Sequence, residues 1–120
     1  MLEPPADLLV VVAHASAYPN PVTFEEGDSL ATGRRDTEFP GWIRVTTADG
    51  KEGWAPEQFL RPGTASGTAV ATEYYCAREL DTSVGERLRL HREMNEWVLV
   101  ENERGETGWV PLATTRPVTT

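Results

Sequence analysis

Gly53-Trp54-Ala55-Pro56 and Gly108-Trp109-Val110-Pro111 are one phrase written twice, and their separation of 55 residues decides how the chain is read. Each phrase has a second tryptophan ahead of it at the same spacing: Trp42 heads Trp-Ile-Arg-Val and Trp97 heads Trp-Val-Leu-Val. Between the tryptophans lie polar turn stretches, Ala48-Asp49-Gly50-Lys51 and Glu103-Arg104-Gly105-Glu106. All four tryptophans of the 120-residue chain belong to this doubled pattern. Self-similarity at a fixed period comes before other signals, because it says how many units the chain builds.

Outward from these phrases the match continues with a drift in spacing. Gly27/Gly85, Leu30/Leu88 and Val22/Leu80 match at an offset of 58, and His14/Tyr75 at 61. Each step of three residues falls in a loop, where a structural repeat tolerates insertions. The spacing divides the chain in sequence order: a first unit over residues 8–61, a linker over 62–68 bearing Pro62, Gly63, Ser66 and Gly67, and a second unit over 69–116. Units of this size lie near the lower limit at which one core supports a fold.

Within the first unit, Leu8 to His14 is apolar and β-branched, hence a strand. Tyr18-Pro19-Asn20-Pro21 then removes two amide donors and predicts a long, semi-rigid loop. Val22-Thr23-Phe24 resumes alternation before a tight turn at Glu25-Glu26-Gly27-Asp28, and Gly33 to Gly41 is a second polar loop. Trp42 to Thr47 and the strand carrying Gly53-Trp54-Ala55 flank Asp49-Gly50, a good hairpin signal. Pro56 to Leu60 suits a single helical turn. The second unit repeats this order, with a strand at Ala71 to Tyr75, a turn at Gly85-Glu86, and hairpin strands from Trp97 and Thr107.

Five short strands per unit and no helical periodicity predict an all-β fold of two consecutive small five-stranded barrels. Val45 and Val100 lie three residues beyond Trp42 and Trp97 and so face the opposite side. That places Trp42 and Trp97 on the surface side of their strands.

The net charge of −8 comes from 19 acidic and 11 basic residues, and both halves are acidic. Such a balance disfavours nucleic acid and anionic membranes, where affinity rests on Lys and Arg. A single cysteine, Cys76, excludes an intrachain disulfide and fits a reducing compartment. The apolar run Leu8 to Val12 is too short for a membrane span and lacks the basic flank of a signal peptide, so a cytoplasmic location is expected.

The ordered set of motifs resembles the SH3 (Src-homology 3) family, twice over. Ala71-Thr72-Glu73-Tyr74-Tyr75 stands where that family has Ala-Leu-Tyr-Asp-Tyr, Glu79-Leu80 where it has an acid and leucine, and Gly85-Glu86-Arg87-Leu88 where it has Gly-Glu/Asp-x-Leu. Trp97 matches its groove tryptophan, and Gly108-Trp109-Val110-Pro111 its Gly-Tyr/Trp-Val/Ile-Pro. The first unit matches through Phe24 to Leu30, Trp42, and Gly53 to Leu60, and its Tyr-Pro-Asn-Pro loop is similar to a bacterial variant with two such domains in tandem.

The resemblance implies two consecutive SH3-like barrels that bind proline-rich, extended peptides between aromatic rings. The polyproline helix has little entropy left to lose, and its carbonyls accept bonds from ring N–H and O–H groups. By position the first groove is Trp42, Trp54, Pro56 and Phe59, with His14 and Val12 in place of tyrosines. The second is Tyr75, Trp97, Trp109 and Pro111, with Thr114 in place of an aromatic. Pro21 stands where an acid would hold the ligand's basic residue, leaving Asp36 and Glu38 to serve; Tyr18 and Glu79 complete the candidate set.

His14 and His91 show no ligand spacing to each other or to Cys76, so no metal and no cofactor are expected. No catalytic arrangement and no phosphate-cradling loop can be read, and an enzyme is not expected. The expected partner is a protein or peptide, neither nucleic acid nor membrane. Self-assembly through the grooves is the alternative, and binding of cell-wall peptide is a third reading.

Overall fold

The computed structural model describes residues 6–16 and 20–118. Among them run β1 (Ala6–Val10), β2 (Thr23–Phe24), β3 (Ser29–Arg35), β4 (Trp42–Thr46), β5 (Glu52–Pro56) and β6 (Leu60–Pro62). They are followed by β7 (Thr68–Ala71), β8 (Tyr75–Cys76), β9 (Arg87–Met94), β10 (Trp97–Glu101), β11 (Thr107–Pro111) and β12 (Thr115–Pro117). The only helical pieces among these residues are two 3-10 turns, Glu57–Phe59 and Leu112–Thr114.

The Gly-Trp-x-Pro phrase has a physical account at both ends. A Cβ on Gly53 would sit 2.7 Å from Val22 Cγ1, and one on Gly108 would sit 2.9 Å from Leu80 Cγ. Only glycine lets the strand pass this close beneath the incoming limb. At the other end Pro56 (φ −66°) and Pro111 (φ −63°) precede the 3-10 turns in the conformation that the proline ring enforces.

The strands form two five-stranded antiparallel sheets, ordered β5-β4-β3-β7-β6 and β11-β10-β9-β1-β12. Each sheet therefore holds one strand from the other repeat. β1 lies between β9 and β12, with Leu8 opposite Leu88 on one side and Pro117 on the other. β7 lies between β3 and β6, with Ala69 opposite Leu30 and Pro62. The compact units are accordingly residues 1–19 with 78–120 (unit 1) and residues 20–77 (unit 2).

This corrects the division in sequence order. Residues 62–68 are not a linker between units but the turn of a β6–β7 hairpin inside unit 2, closed by the bonds Gly63 N to Thr68 O (3.0 Å) and Thr68 N to Ala65 O (3.2 Å). The chain passes between units at residues 19/20 and 77/78 instead. A hairpin of Gly, Thr, Ala and Ser has the same composition as a linker, so local sequence does not separate the two.

What selects the exchange is side-chain size and chemistry. Either first strand could form the same backbone ladder in either sheet, so those hydrogen bonds cancel. Unit 1 takes the large pair Leu8 and Val10, buried with Leu80, Leu88, Leu90, Val98, Val100 and Val110. Unit 2 takes the small pair Ala69 and Ala71 and buries Phe24, Phe59 and Tyr75. In the repeat register, Thr82 and Thr114 replace Phe24 and Phe59. The bulky strand thus goes where the surrounding positions are small, and the small strand where they are aromatic.

The residues after each first strand reinforce this choice. Tyr75 follows β7 and packs on Phe24 (centroids 5.3 Å) and Phe59 (5.6 Å, edge to face), worth about 0.5–1.5 kcal/mol per pair beyond burial. His14 follows β1 and its Nε2 lies 2.7 Å from Glu79 Oε1, with His14 bridged to Thr82. A consecutive arrangement would trade each partner set for the wrong one. We expect a Leu9→Cys/Arg87→Cys pair, in a Cys76→Ser background, to form a disulfide within the monomer, since these residues are opposite each other across β1 and β9. Non-reducing electrophoresis of the monomer would show it; a folded monomer in which the two thiols stay free would mean that β1 stays with its own repeat.

The turn between β10 and β11 is held by Asn102, a buried side chain. Its Oδ1 accepts from the N–H groups of Arg104 and Glu106, both at 3.0 Å, and its Nδ2 donates to Glu106 Oε1 at 2.9 Å. The Asn102 bond, then the Arg104 guanidinium at 3.0 Å, hold the Glu106 carboxyl below its ordinary range. A depressed carboxyl stabilises the fold above its unfolded-state value, and the gain is lost as pH falls through the folded value. Glu106→Gln should therefore melt below the parent at neutral pH, with the difference closing as pH falls below about 4.5, the reference for a free glutamate. Thermal midpoints across pH 2–7 would check this.

Candidate functional site

All four tryptophans sit on the outer faces of the two central hairpins. In unit 2, Trp42 is opposite Pro56 and Arg44 opposite Trp54; in unit 1, Trp97 is opposite Pro111 and Leu99 opposite Trp109. The valines of the same strands fill the cores, so the faces follow the alternation read from sequence. Exposure does not. Trp42 is only 5% exposed and Trp109 3%. Strand alternation sets which way a ring points, whereas exposure depends on what packs over that face. At Trp109 the strand edge is also paired with the limb Arg78–Leu80, through Trp109 N to Arg78 O (2.9 Å) and Leu80 N to Trp109 O (3.2 Å).

The exchange also re-sorts the two expected grooves. His14 and Val12 are not with Trp42 but in unit 1, where the His14 ring meets Trp97 edge to face at 5.7 Å. Val12 N donates to Thr114 O at 3.2 Å, which sets this exposed valine beside the 3-10 turn after Pro111. Tyr75 is not with Trp97 but in unit 2, where its hydroxyl donates to Trp54 O at 2.8 Å. The candidate residues of each repeat share a unit except where a first strand changes units.

The two resulting sets differ in openness. In unit 2, Trp42, Pro56, Phe59 and Tyr75 are all buried, and they present no open groove. Trp54 is half-buried, with the guanidinium carbons of Arg34 and Arg44 at 5.2 and 5.5 Å from its ring centre. In unit 1, Trp97, Pro111 and Thr114 are half-buried and Val12 is exposed. The side chains of His14 and Glu79, hydrogen-bonded to each other, keep 17% and 11% exposure. Of the two expected grooves, the set in unit 1 keeps reachable ring surface, at Trp97; in unit 2 the reachable rings lie elsewhere, at half-buried Trp54 and at Tyr74, which is 60% exposed.

Acidic candidates divide in the same way. One oxygen of Asp36 accepts from Glu38 N (2.7 Å) and Phe39 N (3.2 Å), closing its own loop, while Glu38 is exposed. Glu79 faces His14, and Asp81 accepts from Ser16 N at 2.6 Å. Asp81 and Thr82, which fix the limb carrying His14, were not singled out in the sequence; their partners lie more than sixty residues away and leave no local signal. Tyr18 lies outside the described residues.

No group of three or more His, Cys, Asp or Glu among the described residues could hold a metal ion. No helix there is long and apolar enough to cross a membrane.

Residues 10–63 match the family model of the variant SH3 domain (SH3_2). With the two five-stranded sheets, this makes the fold class all-β and SH3-like. The matched stretch follows sequence order, so its first residues, Val10–Ser16, lie in unit 1 and the part from Asn20 onward in unit 2. Comparison with curated proteins and with solved structures gave no match.

Tyr75 offers a direct check of the re-sorted set. Tyr75→Phe should cost about 0.5–1.5 kcal/mol through the lost bond to Trp54 O. Tyr75→Ala should cost about 3–5 kcal/mol, because it empties the space between Phe24 and Phe59. Urea unfolding of both variants measures these values.

Proposed function

We propose that the chain is a non-enzymatic protein-interaction module that holds an extended, proline-rich peptide segment on unit 1. The observation that carries this reading is the composite face of Val12 and His14 from one repeat with Trp97, Pro111 and Thr114 from the other. The edge-to-face contact with His14 presents Trp97 as a fixed, partly open ring, which suits capture of a polyproline ridge at low entropic cost. Glu79 and Asp81 put carboxylates beside that ring's neighbour, where a basic ligand residue gains attraction. The protein's acidic balance agrees with a neutral or basic peptide partner rather than nucleic acid.

The corresponding groove of unit 2 has no part in this reading, because Trp42, Phe59 and Tyr75 are buried within unit 2 itself. A cytoplasmic setting is consistent with the chain's having one cysteine, Cys76.

Titration of a proline-rich peptide library containing arginine, followed by the indole N–H signals in NMR, tests the proposal. Binding should move the Trp97 signal, and Trp97→Ala should weaken it by at least about thirtyfold, the scale of a central aromatic anchor. Ligands that leave Trp97 unmoved across the library would remove this reading.

A further inference from the structure

Trp54 lies on a different surface, on unit 2, and the peptide site of unit 1 does not use it. Three strands build its surroundings. β5 carries Trp54, β4 carries Arg44 directly opposite, and β3 carries Arg34. The register between β3 and β4 shifts between Thr32 and Arg35, and this irregularity is where Arg34 departs from plain strand alternation to reach Trp54. Gly33 belongs to the same arrangement: a Cβ there would lie 3.4 Å from Arg44 Cβ.

The charges of this cluster are unevenly matched. Arg44 has an ion pair with Glu52 at 3.7 Å, and Arg35 has one with Glu57 at 2.7 Å. Arg34 has no carboxylate partner among the described residues, although the chain carries 19 acids. Its guanidinium is exposed and lies 5.2 Å from an indole ring, a contact that orients the planar fork but does not neutralise it. Beneath it the strand is fixed by Tyr75, whose hydroxyl holds Trp54 O.

We infer that Arg34, Arg44 and Trp54 form a second docking site, which takes a carboxylate side chain of a short acidic peptide segment. A guanidinium fork pairs with a carboxylate through two parallel bonds, and the indole supplies a flat apolar surface for the chain that bears it. The net charge of −8 repels extended polyanions as whole bodies, so a segment with a few carboxylates is the partner this isolated basic patch fits. The site is opposite in sign to the acidic pair of unit 1, and the two would recognise different segments.

The test is an NMR and fluorescence titration of the full chain with a short synthetic peptide of alternating glutamate and serine. A glutamine-for-glutamate peptide and inorganic phosphate are run in parallel. The glutamate peptide should shift the Trp54 indole signal and leave that of Trp97 in place, with binding that falls as salt rises. Arg34→Gln should weaken it about tenfold, and Arg34→Lys, which keeps the charge but loses the fork, by less. Because Arg34 is exposed, the variants should keep the parent's circular dichroism. An equal response to the glutamine peptide, an equal response to phosphate, or unchanged binding in Arg34→Gln overturns the inference. None of these outcomes bears on the Trp97 site.

Discussion

Each sheet has a vacant place between its second and last strands, and the whole arrangement depends on which first strand enters it. The chain offers two candidates of similar length, five residues in β1 and four in β7, each able to form an antiparallel ladder on both edges. Backbone hydrogen bonding therefore cannot choose, and the decision passes to side chains that differ by a few methylenes: Leu8 and Val10 against Ala69 and Ala71. Burying a leucine or valine contributes about 1.5–3 kcal/mol, and overpacking costs about 1–3 kcal/mol. For a domain whose net stability is about 5–15 kcal/mol, such differences at two positions outweigh the convenience of keeping neighbours in sequence together.

Much of the local structure was legible. The Asp49-Gly50 turn has Gly50 at φ 88°, the Glu25–Asp28 turn has Gly27 at φ 91°, and the turn after Pro56 is a 3-10 helix as its length implied. These features rest on short-range steric rules. The inward valines and outward tryptophans were legible for the same reason. What escaped were quantities set by distant residues: the unit to which Leu8 belongs, the burial of Trp42, and the partner of His14. A repeat makes this worse, because two equivalent strands satisfy the same pattern, and only the pairing of sizes across the chain tells them apart.

The duplicated scaffold has been put to unequal use. Where unit 2 carries Phe24, Phe59 and Tyr75, it has packed the aromatic positions shut. Where unit 1 carries Thr82, Thr114 and His14, Thr82 is buried while Thr114 and His14 stay half-buried, and all three have polar partners. Replacing aromatics by threonines thus does two things at once: it makes room for the larger first strand and it leaves ring surface uncovered beside Trp97.

The β6–β7 hairpin carries a further consequence. Unit 2 is one unbroken run of chain, residues 20–77, in which the strand that opens the repeat has moved to the end. Its two ends are neighbours, joined by the bond from Ala77 N to Val22 O at 2.9 Å. In unit 1, Val118 N likewise bonds Asp7 O at 2.9 Å, so the outermost described strands run side by side. Unit 2 is in effect a circular permutant of the repeat, and along the chain it interrupts unit 1 between residues 19 and 78. Duplication followed by exchange of one strand is a route by which a tandem array becomes a nested pair without any residue being added.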